Sequence, residues 1–300
     1  MTKTVLIAGA TGYLGRFLVA EYMKREDWNV IALVRKTEGA PMATKLVQGE
    51  VTKPETLKGI MDDGVDLVIS AVGITRQRDG LTYRDVDYQA NKNLLEEAIL
   101  AKVPRFAYIH VLQGKAMAHL TAIKAKENFV TELGQAVQDG KIELATVICP
   151  SGFFSDMQDF LNMAKGGRVY LFGDGSHVIN PIHGEDLAKA TADAIAEGRA
   201  TVDIGGPDIL SQRDIAELAF SALGKSIKIS FVWDSIRIGL IKVIPWTIPL
   251  AIWGPTQFFL TALNMDMAGE CHGTHHLKDH FAQVVQAEKD SELLKSAKSS

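Results

Sequence analysis

A glycine-rich segment near the start of the chain, Gly9-Ala10-Thr11-Gly12-Tyr13-Leu14-Gly15, has the spacing of a dinucleotide-binding loop. It directly follows a short apolar run, 4–8, and opens a segment of helical periodicity, 13–24. Gly9 allows a tight turn, Gly12 lets the backbone approach a pyrophosphate, and Gly15 lets helix and strand pack closely. The helix N-terminus offers free N–H groups and a positive dipole end to the phosphates. The cofactor-binding residues predicted here are Gly9, Thr11, Gly12, Tyr13, Leu14 and Gly15.

The residues after the second apolar run, 30–34, indicate which dinucleotide binds. Enzymes that use NAD carry an acidic residue at this position, where it holds the ribose hydroxyls. Here the run is followed by Arg35 and Lys36, and no carboxylate stands at the strand end. A guanidinium pairs bidentately with a phosphate, and the adjacent lysine adds charge, so we expect NADP(H). The alternative is that both are solvated surface cations.

Composition and charge limit the classes of protein to consider. Hydrophobic residues make up 47% and charged residues 23% of the 300 residues, which is ordinary for a globular protein with one large α/β domain. The net charge of −4 predicts no nucleic-acid partner, which would need a basic face. Cys149 and Cys271 fit no metal spacing, and the first residues lack the features of a signal peptide. We therefore expect a cytoplasmic protein.

Short apolar runs alternate with helical patterns through the first half of the chain. This alternation predicts an α/β fold with a doubly wound parallel Rossmann sheet that helices cover on both faces. After Pro150 the segments become shorter, so we predict a Rossmann domain over 1–150 and a smaller, mainly helical lobe over 151–300, packed on the sheet edge. The predicted strands are 4–8, 30–34, 45–48, 65–72, 105–111, 142–148, 201–204 and 227–231, and the predicted helices are 13–24, 56–61, 88–101, 122–137, 185–196 and 211–223.

Over about 4–196 the sequence resembles the atypical short-chain dehydrogenase/reductases of the NmrA-like and isoflavone-reductase-like type. Gly49-Glu50-Val51 looks like the family's segment near the adenine, with Glu50 in place of the usual Asp. Ala71-Val72-Gly73 looks like the strand end beside the adenosine ribose, and Cys149-Pro150-Ser151-Gly152-Phe153 like the segment beside the nicotinamide. The cofactor contacts that this resemblance implies are Glu50, Val51, Ala71, Val72, Gly73, Pro150, Gly152 and Phe153.

The helix after the fifth strand departs from the pattern of most short-chain dehydrogenases. Those enzymes carry Tyr-x-x-x-Lys there, and the tyrosine gives or takes the proton. This chain resembles the motif at Lys126, which implies that Lys126 holds the nicotinamide ribose, but Ala122 stands in the tyrosine place. The strand before this helix ends at His110, where the family usually has a serine. The usual proton donor is therefore missing.

Two side chains are candidates for the missing proton donor. Lys126 could donate a proton if burial and the nicotinamide charge lower its pKa, and otherwise it only holds the ribose or is a surface lysine. His110 is the second candidate because the ordinary pKa of histidine, about 6.5, suits proton transfer, unless the backbone satisfies its ring. We expect His183 to cap the helix that follows it. The cysteine and histidines between 271 and 280 match no standard metal set, so we expect no metal.

An apolar stretch, 236–263, stands out in the second half. Arg237, Lys242 and three prolines interrupt it, which makes a membrane-spanning helix improbable. The stretch could be a core helix pair that closes the cleft, or it could line an apolar substrate pocket with Trp246 and Trp253 among its walls. A membrane-surface contact and a dimer contact stay open.

The sequence therefore predicts an NADPH-dependent oxidoreductase, a reductase of a small or lipophilic carbonyl or enone compound, which includes quinone-like compounds. Its catalytic residues would be Lys126 and His110, its partner an apolar small molecule, and its state a monomer or homodimer. The alternative is a non-catalytic NADP(H)-binding sensor or assembly protein, which the missing tyrosine at Ala122 favours.

Overall fold

A parallel eight-stranded sheet forms the centre of the protein. The computed structural model describes residues 2–74, 77, 80–244 and 248–298. The sheet strands are β1 (Lys3–Ala8), β2 (Trp28–Val34), β3 (Lys45–Gln48), β4 (Leu67–Ser70), β5 (Arg105–Ile109), β6 (Leu144–Pro150), β9 (Thr201–Gly205) and β12 (Glu270–Cys271). Their order is β12-β9-β6-β5-β4-β1-β2-β3, and every pairing is parallel. The predicted doubly wound Rossmann sheet is confirmed.

Helices cover both faces of the sheet, as its continuous apolar strands require. The helices are α1 (Tyr13–Met23), α2 (Asn91–Leu100), α3 (Thr121–Gln138), α4 (Gln158–Lys165), α5 (Gly184–Ala196), α6 (Gln212–Ala222), α7 (Asp234–Val243), α8 (Leu250–Ala262) and α9 (Leu277–Lys298). Val5 and Ile7 of β1 pack in the cluster that contains residues of α1 and α5. Leu6 and Ala8 face the other way, toward α2 and α3. Alternate residues of one strand thus anchor two helical layers.

The second half forms a mainly helical lobe with its own apolar core, in which α4, α6 and α9 pack together through Phe160, Phe220 and Phe281. Two small sheets flank it: β7 (Val169–Phe172) pairs with β11 (Ile229–Val232), and β8 (Val178–Ile179) with β10 (Leu210–Ser211). Strands β9 and β12 also follow Pro150 in the chain, yet they extend the central sheet. The predicted domain boundary at Pro150 stays a prediction.

Capping residues begin two helices where the sequence predicts them. The Ser211 hydroxyl accepts the Asp214 N–H at 3.1 Å, and the Asp214 carboxylate accepts the Ser211 N–H at 2.8 Å, a reciprocal capping box. His183 caps α5 by accepting the Glu185 N–H at 3.3 Å. The helix predicted over 56–61 is wrong: a 3₁₀ turn over Pro54–Thr56 leads into hydrogen-bonded turns, with Gly59 at a φ of +74°. A left-handed glycine ends helical geometry there.

The apolar stretch 236–263 contributes to α7 and α8, and residues 245–247, Trp246 among them, lie outside the described residues. Helix α8 buries Trp253 and Leu260, and its Phe258 packs on the core below the sheet. Helix α7 instead exposes Ile236 and Val243 while its Arg237 is buried against Asp234. Within the described residues, no helix is both long and apolar enough to cross a membrane.

The contact between α1 and β1 yields a stability prediction. A Cβ added at Gly15 would overlap the Gly9 carbonyl oxygen, whereas a Cβ on the exposed helical Gly134 meets nothing within 4 Å. We expect Gly15→Ala to lower the free energy of unfolding by about 1–3 kcal/mol. Gly134→Ala is the matched control and should raise it by up to about 1 kcal/mol. Urea unfolding of the two variants measures both changes, and equal stabilities would contradict the close packing.

Candidate functional site

The predicted site residues lie on one edge of the sheet, because each group follows the carboxyl end of a parallel strand. Sheet order places the segments after β6, β5, β4, β1, β2 and β3 side by side. Between β1 and β4 the chain switches the direction in which it adds strands, and ligands of doubly wound sheets bind at such a point. The residues grouped along this edge are Gly9 to Gly15, Arg35, Lys36, Glu50, Val51, Ala71 to Gly73, His110, Pro150, Gly152 and Phe153.

The glycine loop has the geometry of an anion-binding turn. Gly9 has a φ of +78°, and a Cβ there would lie 2.7 Å from the Ala71 carbonyl oxygen. The Gly12 N–H donates to the Gly9 carbonyl at 2.9 Å, and the Arg16 N–H donates to the Gly12 carbonyl at 3.1 Å. No side chain among the described residues caps the N-terminus of α1. The first amides of α1 are therefore available to a phosphate.

Three predicted residues of the glycine loop differ in the groups that they can present to a ligand. The Leu14 side chain is buried, so only its backbone amide can reach a ligand. Thr11 is exposed, and its carbonyl oxygen accepts the Arg16 Nε–H at 3.1 Å. The Tyr13 hydroxyl accepts the Gly184 N–H at 3.2 Å, and the Tyr13 ring packs edge-on against Phe153. Tyr13 thus links the loop to the segment after β6.

Cations gather at the ends of β2 and β3. Arg35 and Lys36 are both exposed directly after β2. Hydrogen bonds from Lys53 and Thr52, together with the charge of Arg35, hold the pKa of the Glu50 carboxyl below its ordinary value. Lys53 Nζ lies 2.7 Å from Glu50 Oε2 and offsets its charge. Lys53 was not predicted as a site residue, although it lies only three residues after Glu50.

The segment after β4 is held by a buried amide. The Asn91 side chain donates to the carbonyl oxygens of Val72, Val86 and Asp87, and accepts the Ser70 hydroxyl at 2.5 Å. The Ala71 N–H donates to the Ala8 carbonyl at 3.0 Å. Gly73 follows as an exposed residue. These bonds fix the path of the chain from Ala71 to Gly73 beside the glycine loop.

A buried ion pair lies against Gly73. Lys126 Nζ, on α3, is 2.9 Å from Asp87 Oδ1; the side chain of Lys126 is 17% exposed and that of Asp87 is 0% exposed. A Cβ on Gly73 would be 2.8 Å from Lys126 Nζ, so only glycine leaves room for the lysine. Lys126 Nζ also lies over the Tyr108 ring, 5.6 Å from its centroid. Asp87 was not predicted as a site residue from the sequence.

The ion pair sets the protonation of its members. Burial alone would lower the pKa of Lys126, but the Asp87 carboxylate and the Tyr108 phenol outweigh it and hold the pKa above the ordinary lysine value. Burial raises the pKa of Asp87, and Lys126 opposes that rise. Burial raises the pKa of Tyr108 to about 12. The partners of Lys126 thus favour its charged form, and its role as a proton donor stays a prediction.

His110 is paired with a glutamate from α3. His110 Nε2 lies 2.8 Å from Glu127 Oε1, and the His110 side chain is 5% exposed. Its other ring nitrogen, Nδ1, is buried without a hydrogen-bond partner among the described residues. Burial lowers the pKa of His110, and the hydrogen bond to Glu127 opposes this. His110 directly follows β5, and Lys126 lies on α3, the α-helix that comes after β5. Both predicted catalytic residues therefore come after the same strand.

The segment after β6 completes the edge. The Pro150 carbonyl accepts the Leu112 N–H at 3.0 Å, and the Gly152 carbonyl accepts the Ile182 N–H at 2.8 Å. A Cβ on Gly152 would lie 3.2 Å from the Ile179 side chain. Burial raises the pKa of the neighbouring Cys149 thiol to about 12, so Cys149 is an inert buried thiol.

Comparisons with known proteins agree with this geometry. Residues 9–147 match the NAD(P)H-binding family. The chain is 28% identical to a divinyl chlorophyllide a 8-vinyl-reductase of Arabidopsis thaliana, over 94% of this chain and 76% of that protein. It spans between 57% and 60% of three further plant enzymes of that name. It is 25% identical to a photosystem II assembly factor of Synechocystis, over 76% of this chain and 70% of the other.

A solved structure shares the fold over nearly the whole chain. The NADPH-dependent quinone oxidoreductase of Escherichia coli, complexed with NADPH, aligns with a TM-score of 0.69 at 15% identity. The alignment covers 94% of this chain and 99% of that one. The matched family and the relatives confirm the resemblance predicted from the motifs, and the solved structure shows the same fold.

The buried ion pair yields a prediction for stability. Asp87→Asn leaves the Lys126 ammonium without its counter-ion, so we expect a loss of about 3–5 kcal/mol in the free energy of unfolding. Adding Lys126→Met removes the orphaned charge and should recover much of that loss. Glu96→Gln, an exposed change on α2, is the control and should stay within about 0.5 kcal/mol. A double variant as unstable as the sum of the single variants would contradict the pairing.

Proposed function

We propose that the protein is an NADPH-dependent reductase of a small or lipophilic carbonyl or enone compound, quinone-like compounds included. The observation that carries the proposal is the Lys126–Asp87 pair against Gly73, on the same sheet edge as the uncapped glycine loop. A fixed cation beside a dinucleotide loop fits a ribose hydroxyl and a reacting carbonyl oxygen. The bound dinucleotide supplies the hydride, and the chain supplies binding, orientation and a proton.

The cofactor would lie along the edge from β3 to β6. Gly9, Gly12 and the first amides of α1 would hold the pyrophosphate, and Arg35 with Lys36 the 2′-phosphate. Glu50 and Val51 would lie toward the adenine, and Ala71 to Gly73 toward the adenosine ribose. Lys126 would hold the nicotinamide ribose, with Pro150, Gly152 and Phe153 beside the nicotinamide. Two glycines without side chains support this path: an added Cβ would lie 3.2 Å from the Gly9 carbonyl oxygen at Gly12, and within 3 Å of Lys126 and Asp87 at Gly73.

His110 is the proton donor in this proposal, because Lys126 keeps its proton. Nδ1 of His110 is one of several buried polar atoms without a hydrogen-bond partner among the described residues, and it can therefore bond to a bound molecule. Glu127 is a positioning residue: it accepts from Nε2 and directs Nδ1 away from itself. Its side chain is 19% exposed, so it also connects the imidazole to solvent for reprotonation.

Aromatic side chains and the names of the relatives support the substrate class. Tyr13, Phe153 and Phe17 form an edge-to-face group beside the segment after β6. Aromatic walls suit an apolar substrate. The relatives named above act, by their names, on a vinyl group of a chlorin and on a quinone, and both reductions need a hydride and a proton.

A non-catalytic NADP(H)-binding assembly protein is the second candidate. Its support is Ala122 in the tyrosine place, the exposed apolar side chains of α7 and the relative named as an assembly factor. Tight NADPH binding without turnover of any quinone, enone or aldehyde would favour it over the reductase.

Charge reversal after β2 tests the cofactor assignment. We expect Arg35→Asp to raise the Kd for NADPH by about 10- to 100-fold and to leave the Kd for NADH nearly unchanged, because only NADPH carries the 2′-phosphate. Lys3→Asp makes a like change on an exposed lysine at the amino end of β1, on the opposite edge of the sheet, and should alter neither Kd. Calorimetric titration measures all four constants. An unchanged NADPH affinity in Arg35→Asp would remove the assignment.

The pH dependence of turnover tests the proton donor and the reductase together. The acid form of His110 is needed, and burial lowers its pKa, so kcat/KM should rise as pH falls, with a midpoint below about 6.5. Glu127 opposes the lowering, so Glu127→Gln should move the midpoint to lower pH, and His110→Asn should abolish the dependence. NADPH oxidation against quinones, enones and aldehydes gives the profiles. An identical midpoint in wild type and His110→Asn would exclude His110.

A further inference from the structure

A second cluster of ionisable side chains lies where the N-terminus of α5 meets the segment before α9. His183, Glu185 and His275 each place one nitrogen or carboxylate oxygen within 4.8 Å of the others. The imidazoles of His183 and His275 stack with ring centroids 4.3 Å apart. Two imidazoles and one carboxylate that converge from separate segments form a donor set typical of Zn²⁺ and related divalent transition metals.

A carboxylate behind His275 orients its ring. His275 Nδ1 lies 3.0 Å from Asp186 Oδ1, and the other oxygen of Asp186 accepts the Thr274 and His275 N–H groups at 3.1 and 2.9 Å. A proton held at Nδ1 leaves the lone pair on Nε2, which lies 3.9 Å from Glu185 Oε2. A carboxylate that accepts from the far nitrogen of a histidine is the usual second layer of a metal site.

The loop that carries His275 passes very close to the Asp186 side chain. Gly273 has a φ of +83°, and a Cβ there would overlap the Asp186 carboxylate. Only glycine therefore lets the chain wrap this closely around Asp186. His183 offers its own lone pair at Nδ1, which now accepts the Glu185 N–H in a long bond of 3.3 Å.

We propose that His183, Glu185 and His275 bind a divalent transition metal of the Zn²⁺ type, with water in the remaining coordination position. Bound ligand atoms lie roughly 3.3 Å apart around tetrahedral Zn²⁺, so the exposed side chains of Glu185 and His275 close inward by about 1 Å. Lys24 Nζ lies 2.8 Å from Glu185 Oε1 as a competing cation, and both side chains of that pair are largely exposed. The metal ties α5 to the segment before α9.

The test uses the full chain, stripped with a chelator and titrated with ZnCl₂ by calorimetry and with CoCl₂ by visible absorption. We expect one equivalent of each to bind, with Co²⁺ giving ligand-field bands. His275→Ala should weaken binding at least tenfold. The matched control is His276→Ala, since His276 is the exposed neighbour that pairs with Asp208 at 2.7 Å outside the cluster, and it should bind like the wild type. His183→Ala is avoided because it also removes the cap of α5.

A further variant distinguishes a metal site from a surface ion pair that has no part in metal binding. Lys24→Gln frees Glu185 from its competing cation, so it should bind Zn²⁺ several-fold more tightly, whereas a merely structural Lys24 would leave the affinity unchanged. Zn²⁺ should also raise the melting temperature of the wild type and of His276→Ala but not of His275→Ala. No saturable binding by the wild type, or equal losses in His275→Ala and His276→Ala, would overturn the proposal. None of these readouts depends on NADPH or on turnover.

Discussion

The ion pair between Lys126 and Asp87 is the constraint on which the chemistry of the sheet edge depends. Removing two charges from water is costly unless each finds a partner, and here each is the other's partner. Asp87 comes from the π-helix over Arg84–Ala90, and Lys126 from α3, so the pair joins the two helical segments that flank β5. Gly73 completes the arrangement because any larger residue would displace the lysine. The same ion pair thus holds neighbouring segments of this edge in place and supplies its buried positive charge.

In most short-chain dehydrogenases the tyrosine and the lysine of one motif together bind the cofactor and transfer the proton. A lysine held in its charged form separates these two tasks. Lys126 is suited to orient a bound molecule and to attract its oxygen atoms, since the Asp87 carboxylate keeps the lysine protonated. In the proposed reductase, proton transfer falls to a group whose pKa lies nearer to neutrality, and His110, which follows β5 and pairs with Glu127 of α3, is such a group. The alanine at position 122 is compatible with this division, because the histidine fills the place where the family has a serine.

Local sequence signals predicted the first half of the fold and the placement of the loop. The spacing of Gly9, Gly12 and Gly15 specifies a strand–turn–helix unit by itself, and the confirmed cap at His183 is equally local. Asp87 and Glu127 were missed as site residues because their roles arise from pairing with Lys126 and His110 across elements, which no spacing reveals. The helix over 56–61 was wrong since Gly59 in a left-handed conformation overrides the apolar pattern. His183 and His275 lie 92 positions apart in the sequence, so the spacing of the residues between 271 and 280 could not predict that the two histidines lie together.

Strands β9 and β12 complete the central sheet from the far end of the chain. On a ribosome, the first six strands emerge long before β9 and β12, so β6 has an open edge during that interval. An unpaired, buried-type strand edge is prone to join with other chains, and domains of this size fold largely as units. We therefore expect β9 and β12 to complete the sheet last, and a chain interrupted before residue 270 would carry a sheet without its last strand.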